Sequence, residues 1–134
     1  LKSMGLQKSF KTNKLSTNPY KAWFLNTFTP TKATWDGNNA SGWKKDIIAV
    51  NGFDERMQYG GEDRELGERL VNYGIIPLQI RYSTVCLHLD HERSYVKSDM
   101  LIKNKAIRKN TRRKGLHYTP YGIVKSSGDQ EQQS

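Results

Sequence analysis

Residues 59–70 read Y-G-G-E-D-R-E-L-G-E-R-L, and two glycines stand directly before a run with helical spacing. Glycines allow the backbone or a ligand to approach closely, and a helix start exposes N–H groups with no partner in the helix. A carboxylate there is favoured by the helix dipole, and a positioned, ionised carboxylate is what a general base requires. Glu62 and Asp63 are the candidates. The bland reading is two acids that only complement the dipole, which is common at helix starts. His88 and His91 form an H-x-x-H pair in C-L-H-L-D-H-E-R at 86–93, and imidazole binds Mn²⁺ or Zn²⁺ in preference to Mg²⁺. Residues three apart on a strand point to opposite faces, so both reach one ion only if the strand ends near Asp90. His91 is then the better ligand, with His88 a second ligand or a core histidine. H-E-x-x-H and C-x-x-C are both absent, which argues against a closed zinc site.

The elements that must carry these groups follow from periodicity and punctuation. The strongest helix spans 62–73, where Leu66, Leu70 and Tyr73 share a face, two acids occupy the first turn and Gly74 closes the end. Gly67 inside it costs roughly 1 kcal/mol relative to Ala, which points to close packing at that position. Shorter helices fit 19–28 and 43–50, the latter ended by the turn dipeptide Asn51-Gly52. A basic helix fits 98–114, with Ser98 as N-cap, Gly115 as C-cap, and Leu101, Ile102, Ala106 and Ile107 as its buried stripe. The runs 76–82 and 84–89, rich in Ile, Val, Leu and Tyr, read as strands. Together these predict an α/β chain: a mixed sheet with flanking helices.

Composition bounds the partners. The 134 residues suffice for one domain, and a mean hydropathy of −0.81 is lean for a self-sufficient globule. The net charge of +9 is unevenly placed. Residues 1–45 hold eight Lys against one Asp, 46–87 four Arg against seven acids, and 88–117 nine Lys or Arg against three acids. An acidic centre between basic flanks is not the uniform stripe of a simple nucleic-acid binder, so nucleic acid is the weaker alternative. A nucleotide diphosphate or an anionic membrane surface fits as well. The single cysteine, Cys86, and the lack of an apolar run or signal peptide lead to the expectation of a cytoplasmic protein, peripheral at the inner membrane face.

The order N-G-F-D-E at 51–55, G-G-E-D at 60–63 and H-L-D-H at 88–91 resembles the C-terminal half of glycosyltransferase family 2 enzymes and of the related beta-galactosyltransferases. The resemblance covers about 37–125 and includes T-P-Y-G-I at 119–123, as in bacterial surface-polysaccharide enzymes. It divides the chain into a basic segment 1–36, a glycosyltransferase domain 37–125 and a disordered tail 126–134. It implies the C-terminal half of a GT-A (Rossmann-like) fold, incomplete by itself, working on a nucleotide-sugar donor and a saccharide or lipid-linked acceptor by an inverting, metal-dependent reaction. In this reading Asp63 is the base, and Tyr59, Gly60, Gly61, Glu62, Asn39 and Arg93 bind substrate. Asn38 and Ser41 lie beside Asn39 on the segment that lines the site. His91, with His88, holds a divalent metal, Mn²⁺ rather than Mg²⁺. No two aspartates of this chain form a D-x-D pair, so the donor half is expected elsewhere and this piece alone is expected to be inactive. An apolar edge exposed where the donor half belongs would then favour self-association. A glycoside hydrolase is a poor rival, because Glu62 and Asp63 diverge on a helix instead of facing each other across a cleft.

Overall fold

The structure is a computed structural model that describes residues 18–84 and 98–125. It divides into two compact units, residues 1–33 with 78–89 and residues 34–77 with 90–134. Four helices are present among the described residues: α1 (Pro19–Phe28), α2 (Lys44–Ala49), α3 (Glu62–Asn72) and α4 (Ser98–Lys114). None is long and apolar enough to cross a membrane.

In the first unit, α1 starts where Asn18 caps the N–H of Lys21 at 3.1 Å and Pro19 occupies a position that needs no N–H. Asn26 ties the helix to the end of the unit. Its Oδ1 accepts from the Tyr82 N–H at 3.0 Å, and its Nδ2 donates to Ser83 Oγ at 2.8 Å.

The second unit is built on α3. Val50, Leu66 and Leu70 form its apolar centre, with Trp35 and Ile75 packed against them. A Cβ on Gly67 would lie 2.4 Å from Cβ of Trp35, so the helix accepts glycine's propensity penalty to let the indole segment cross it. This core is small, and a buried polar network extends it. The side chains of Glu65 and Arg69 are each 1% exposed and paired at 2.9 Å. Arg69 also donates to the carbonyls of Val50 and Gly52, both at 2.6 Å. Thr111 of α4 donates to Glu65 Oε1 at 2.8 Å, which joins α3 to α4. The C-terminal stretch then returns to the Asn51 turn. Asn51 Nδ2 donates to the carbonyls of Thr119 and Val124, and Asn51 Oδ1 accepts from the Val124 N–H.

The α/β expectation is overturned. Among the described residues there is no sheet, only an isolated bridge between Tyr121 and Lys125. A half GT-A sheet with flanking helices is therefore not the architecture seen. The run 76–82 has β-forming side chains but no strand to pair with among the described residues, and strand propensity expresses a fit to a half-buried pleated surface more than a backbone preference. Ile76 and Leu78 are 90% and 83% exposed, Pro77 lacks an N–H, and the chain turns at Ile80, whose carbonyl accepts from Ser83 N–H at 2.9 Å. Of the second expected strand only Thr84 is described, and it is not extended into a ladder; 85–89 lie outside the described residues.

The buried stripe of α4 is also corrected. Leu101 and Ile102 face largely outward, whereas Asn104 and Thr111 are the buried residues of this helix. The fully buried side chains of this helix are polar.

Candidate active site

The site is set by how the chain enters α3. Gly60 and Gly61 have φ of 107° and 91°, a left-handed conformation that costs other residues strain. They fold the loop back so that Glu62 Oε2 accepts from the Gly60 N–H at 2.6 Å. The loop is gripped from α4 as well. Asn104 is 1% exposed, and its Nδ2 is shared among the carbonyls of Gln58 at 3.4 Å, Tyr59 at 3.1 Å and Gly60 at 3.1 Å. Leu101 caps Gly60 so closely that an added Cβ would meet its Cδ2 at 2.5 Å.

Asp63, one residue further on, is held by two backbone N–H groups. Its Oδ2 accepts from the Gly37 N–H at 3.0 Å, and its Oδ1 accepts from the Arg64 N–H at 2.7 Å. Each carboxylate oxygen keeps a second lone pair, so the group is oriented and still able to accept a proton. Gly37 belongs to a tight turn in which the Asn39 N–H donates to the Asp36 carbonyl at 2.9 Å.

Asp63, Asp36, Tyr59, Gly60 and Gly61 line an open groove of about 970 Å³. Besides Leu101 of α4, its other lining is cationic: Arg64 from α3, and Lys105, Arg108, Lys109, Arg112 and Arg113 from α4. Glu68 fixes part of that surface, because its Oε1 accepts from Arg108 at 2.6 Å and from Arg112 Nε at 2.8 Å. A smaller cavity of about 260 Å³ lies between α4 and the 116–120 stretch, next to Asp54, Arg56 and Glu65. Burial pushes the Asp54 carboxyl up, but hydrogen bonds from Arg56 and Thr119, with the charge of Arg56, outweigh it and hold the group below its ordinary value. The same hydrogen bond to Asp54 raises Arg56, and the Arg56 guanidinium lies 3.8 Å from the centre of the Tyr121 ring. This cluster is saturated and serves to tie the chain together.

The sequence-derived candidates thus fall in different places. Asp63, Tyr59, Gly60 and Gly61 meet on the groove. Glu62 turns back into the loop, and Asn39 lies on the adjoining turn without lining the groove. His88, His91 and Arg93 lie outside the described residues. Among the described residues no three His, Cys, Asp or Glu converge to hold a metal. Asn104 and the Glu68–Arg108–Arg112 anchor went unread in the sequence. The spacing 104, 108, 111 marks a helix face, but a polar one, and apolar periodicity selects a different face.

A carboxylate fixed at a glycine-hinged helix start, opening on a cationic groove, is an arrangement suited to deprotonating a hydroxyl beside an anionic group. Residues 30–91, less than half of the chain, match the family model described as the N-terminal domain of galactosyltransferase. The match spans Asn39, the 59–63 loop, His88 and His91, and stops short of Arg93. Comparison with curated proteins and with solved structures gives no match.

Proposed function

We propose that this chain supplies the acceptor side and the catalytic base of an inverting glycosyltransferase related to family 2. It would transfer a sugar from a nucleotide-sugar to a saccharide or lipid-linked acceptor, in surface-polysaccharide synthesis. The observation that carries the reading is Asp63, held by the N–H groups of Gly37 and Arg64 on the wall of an open groove. In the reaction the Asp63 carboxylate takes the proton of the acceptor hydroxyl. The hydroxyl oxygen bonds to the anomeric carbon from the face opposite the leaving group, and the bond from that carbon to the phosphate oxygen breaks. Inversion follows from this single in-line displacement. Tyr59, on the same groove, offers a flat ring to a sugar face and a hydroxyl to its rim.

The family description names an N-terminal domain, whereas the motif order resembles the C-terminal half, so the acceptor-side assignment is part of the proposal. So is the metal. His91, with His88 as second ligand, would hold a divalent ion, Mn²⁺ in preference to Mg²⁺, which neutralises the diphosphate when bound. The described residues supply no such cluster, and no step above runs through the ion.

Nucleotide-sugar turnover by the whole natural protein containing this chain tests the reading. Asp63→Asn can keep one backbone hydrogen bond, from Gly37 to its amide oxygen, but loses the one from Arg64 and removes the base, and turnover should fall about 10²–10⁴-fold with an unchanged circular dichroism spectrum. Chelation of divalent ions should abolish turnover in the same assay. Turnover within a few-fold of wild type in Asp63→Asn would remove Asp63 from the mechanism.

A further inference from the structure

The α4 lining of the groove carries more positive charge than the described carboxylates pair with. Arg108 and Arg112 converge on the single oxygen Glu68 Oε1, so one carboxylate serves two guanidinium groups. Beside them runs a second row, Lys105, Lys109 and Arg113, at spacings of four along the helix. None of these three, nor the side chain of Arg64, pairs with a carboxylate among the described residues. The row extends over ~12 Å at 1.5 Å per residue. Like charges four apart weaken a helix, so the row costs stability wherever nothing anionic lies against it. It also borders the groove that holds Asp63, and does not simply face bulk solvent.

We infer that this row binds the anionic group of an acceptor saccharide, one bearing phosphate or carboxylate, and holds its hydroxyl toward Asp63. The inference rests on the reading of Asp63 as the base and adds the chemical class of the acceptor. Arg and Lys side chains on one helix suit oxyanions, because the guanidinium binds them in a fork and the ammonium as a point charge. A discrete anion is favoured over a nucleic-acid backbone by the acids on the same groove. Asp36 and Asp63 would repel a continuous phosphodiester chain laid along it, yet leave room for one charged group on the α4 side. Among the described residues Tyr59 is the single aromatic lining the groove, short of the stacking platform that single strands use.

The test is titration of the 134-residue chain, followed by backbone amide shifts, with glucose 6-phosphate, glucose, inorganic phosphate, a nucleoside diphosphate and a single-stranded RNA oligonucleotide. Glucose 6-phosphate should shift the amides of α4 and of residues 59–63, and bind about tenfold or more tightly than either glucose or inorganic phosphate, as charge-assisted contacts added to sugar contacts require. Lys105→Gln with Lys109→Gln should weaken it about tenfold with the helical spectrum intact. Equal binding of inorganic phosphate would mean an adventitious anion only and would overturn the inference. Displacement of the sugar phosphate by the nucleoside diphosphate from the same residues would assign the row to the donor instead. Tighter RNA binding with a steep salt dependence would make it a nucleic-acid surface. Asp63→Asn separates the two readings: it removes a like charge, so anion binding should hold or tighten while turnover is lost. Failure of the sugar phosphate leaves the base untouched, and failure of Asp63→Asn to affect turnover leaves the anion site untouched.

Discussion

At the scale of single residues, the least replaceable side chain of the second unit is Arg69. It is 1% exposed, and its three nitrogens are committed to Glu65 and to the carbonyls of Val50 and Gly52. Breaking one partner of a buried pair leaves the other charge uncompensated, at about 3–5 kcal/mol. Arg69→Met should therefore lower the stability read from urea unfolding by about that amount. Glu65→Leu with Arg69→Met removes both charges, so it should lose less than Arg69→Met alone. It should still fall below wild type, because the Val50 and Gly52 carbonyls and the Thr111 hydroxyl have lost their partners. A double variant as stable as wild type would mean that the pair serves specificity and adds nothing to stability. Asp63 contrasts with this pair. It is fixed by two backbone N–H groups and opens on a groove, an arrangement in which an isosteric Asn costs chemistry and spares the fold.

At the scale of elements, α4 does two jobs with two faces. One face is buried and polar, and grips the 58–60 loop through Asn104 and Glu65 through Thr111; the other carries the cationic row. Asn104→Leu keeps the volume and removes the donor that the carbonyls of Gln58, Tyr59 and Gly60 share. Stability should drop by about 1–3 kcal/mol. Amide hydrogen exchange at Gly60, Gly61 and Glu62 should rise well above that in the middle of α3. Uniform exchange across both would show that Asn104 holds the whole unit and not the loop. These elements were legible to different degrees. The spans of α1 and α4 follow from punctuation, since Pro19 fits a first turn and Gly115 ends the last one. The 62–73 expectation runs one residue past the end of α3, and 43–50 one residue past each end of α2, as fraying ends do. Which face of α4 is buried was not legible. Its partners are a carboxylate, carbonyls and an asparagine, and hydrophobic periodicity is blind to a polar interface. Asp63 and its glycine hinge were legible because they are contiguous in sequence. Gly37, which holds Asp63 from 26 positions away, was not.

At the scale of the whole chain, the expectation that failed was the sheet, and it failed where local sequence carries least information. Strand pairing depends on a neighbour that Ile76 and Leu78 do not find among the described residues, whereas helix hydrogen bonds close within the segment itself. The second unit closes by a different long-range device, the return of residues 119–125 onto the 51–55 turn. N-G-F-D and T-P-Y-G-I, the two motifs first read for their family resemblance, bind each other. Asn51 holds the backbone of Thr119 and Val124, Asp54 accepts from the Thr119 hydroxyl at 2.8 Å, and an added Cβ on Gly122 would lie 1.7 Å from the Asn51 carbonyl oxygen. This closure has a titratable latch. Asp54 is 3% exposed and its folded-state pKa lies below the ordinary carboxylate value, through Arg56 and Thr119. The unfolded chain therefore takes up the proton first as pH falls. The latch contributes its full stability above the ordinary value, about pH 4, and loses it as pH drops from there through the folded-state value. Unfolding midpoints in urea should fall more steeply between pH 5 and pH 3 for wild type than for Asp54→Asn, which has no proton to take up at this position. Exchange protection of the Val124 and Ile123 amides should fade over the same interval, ahead of that in the middle of α3. Equal slopes in the two proteins would mean that acid opens the unit elsewhere, with Glu65 beneath Arg69 the next carboxylate to substitute.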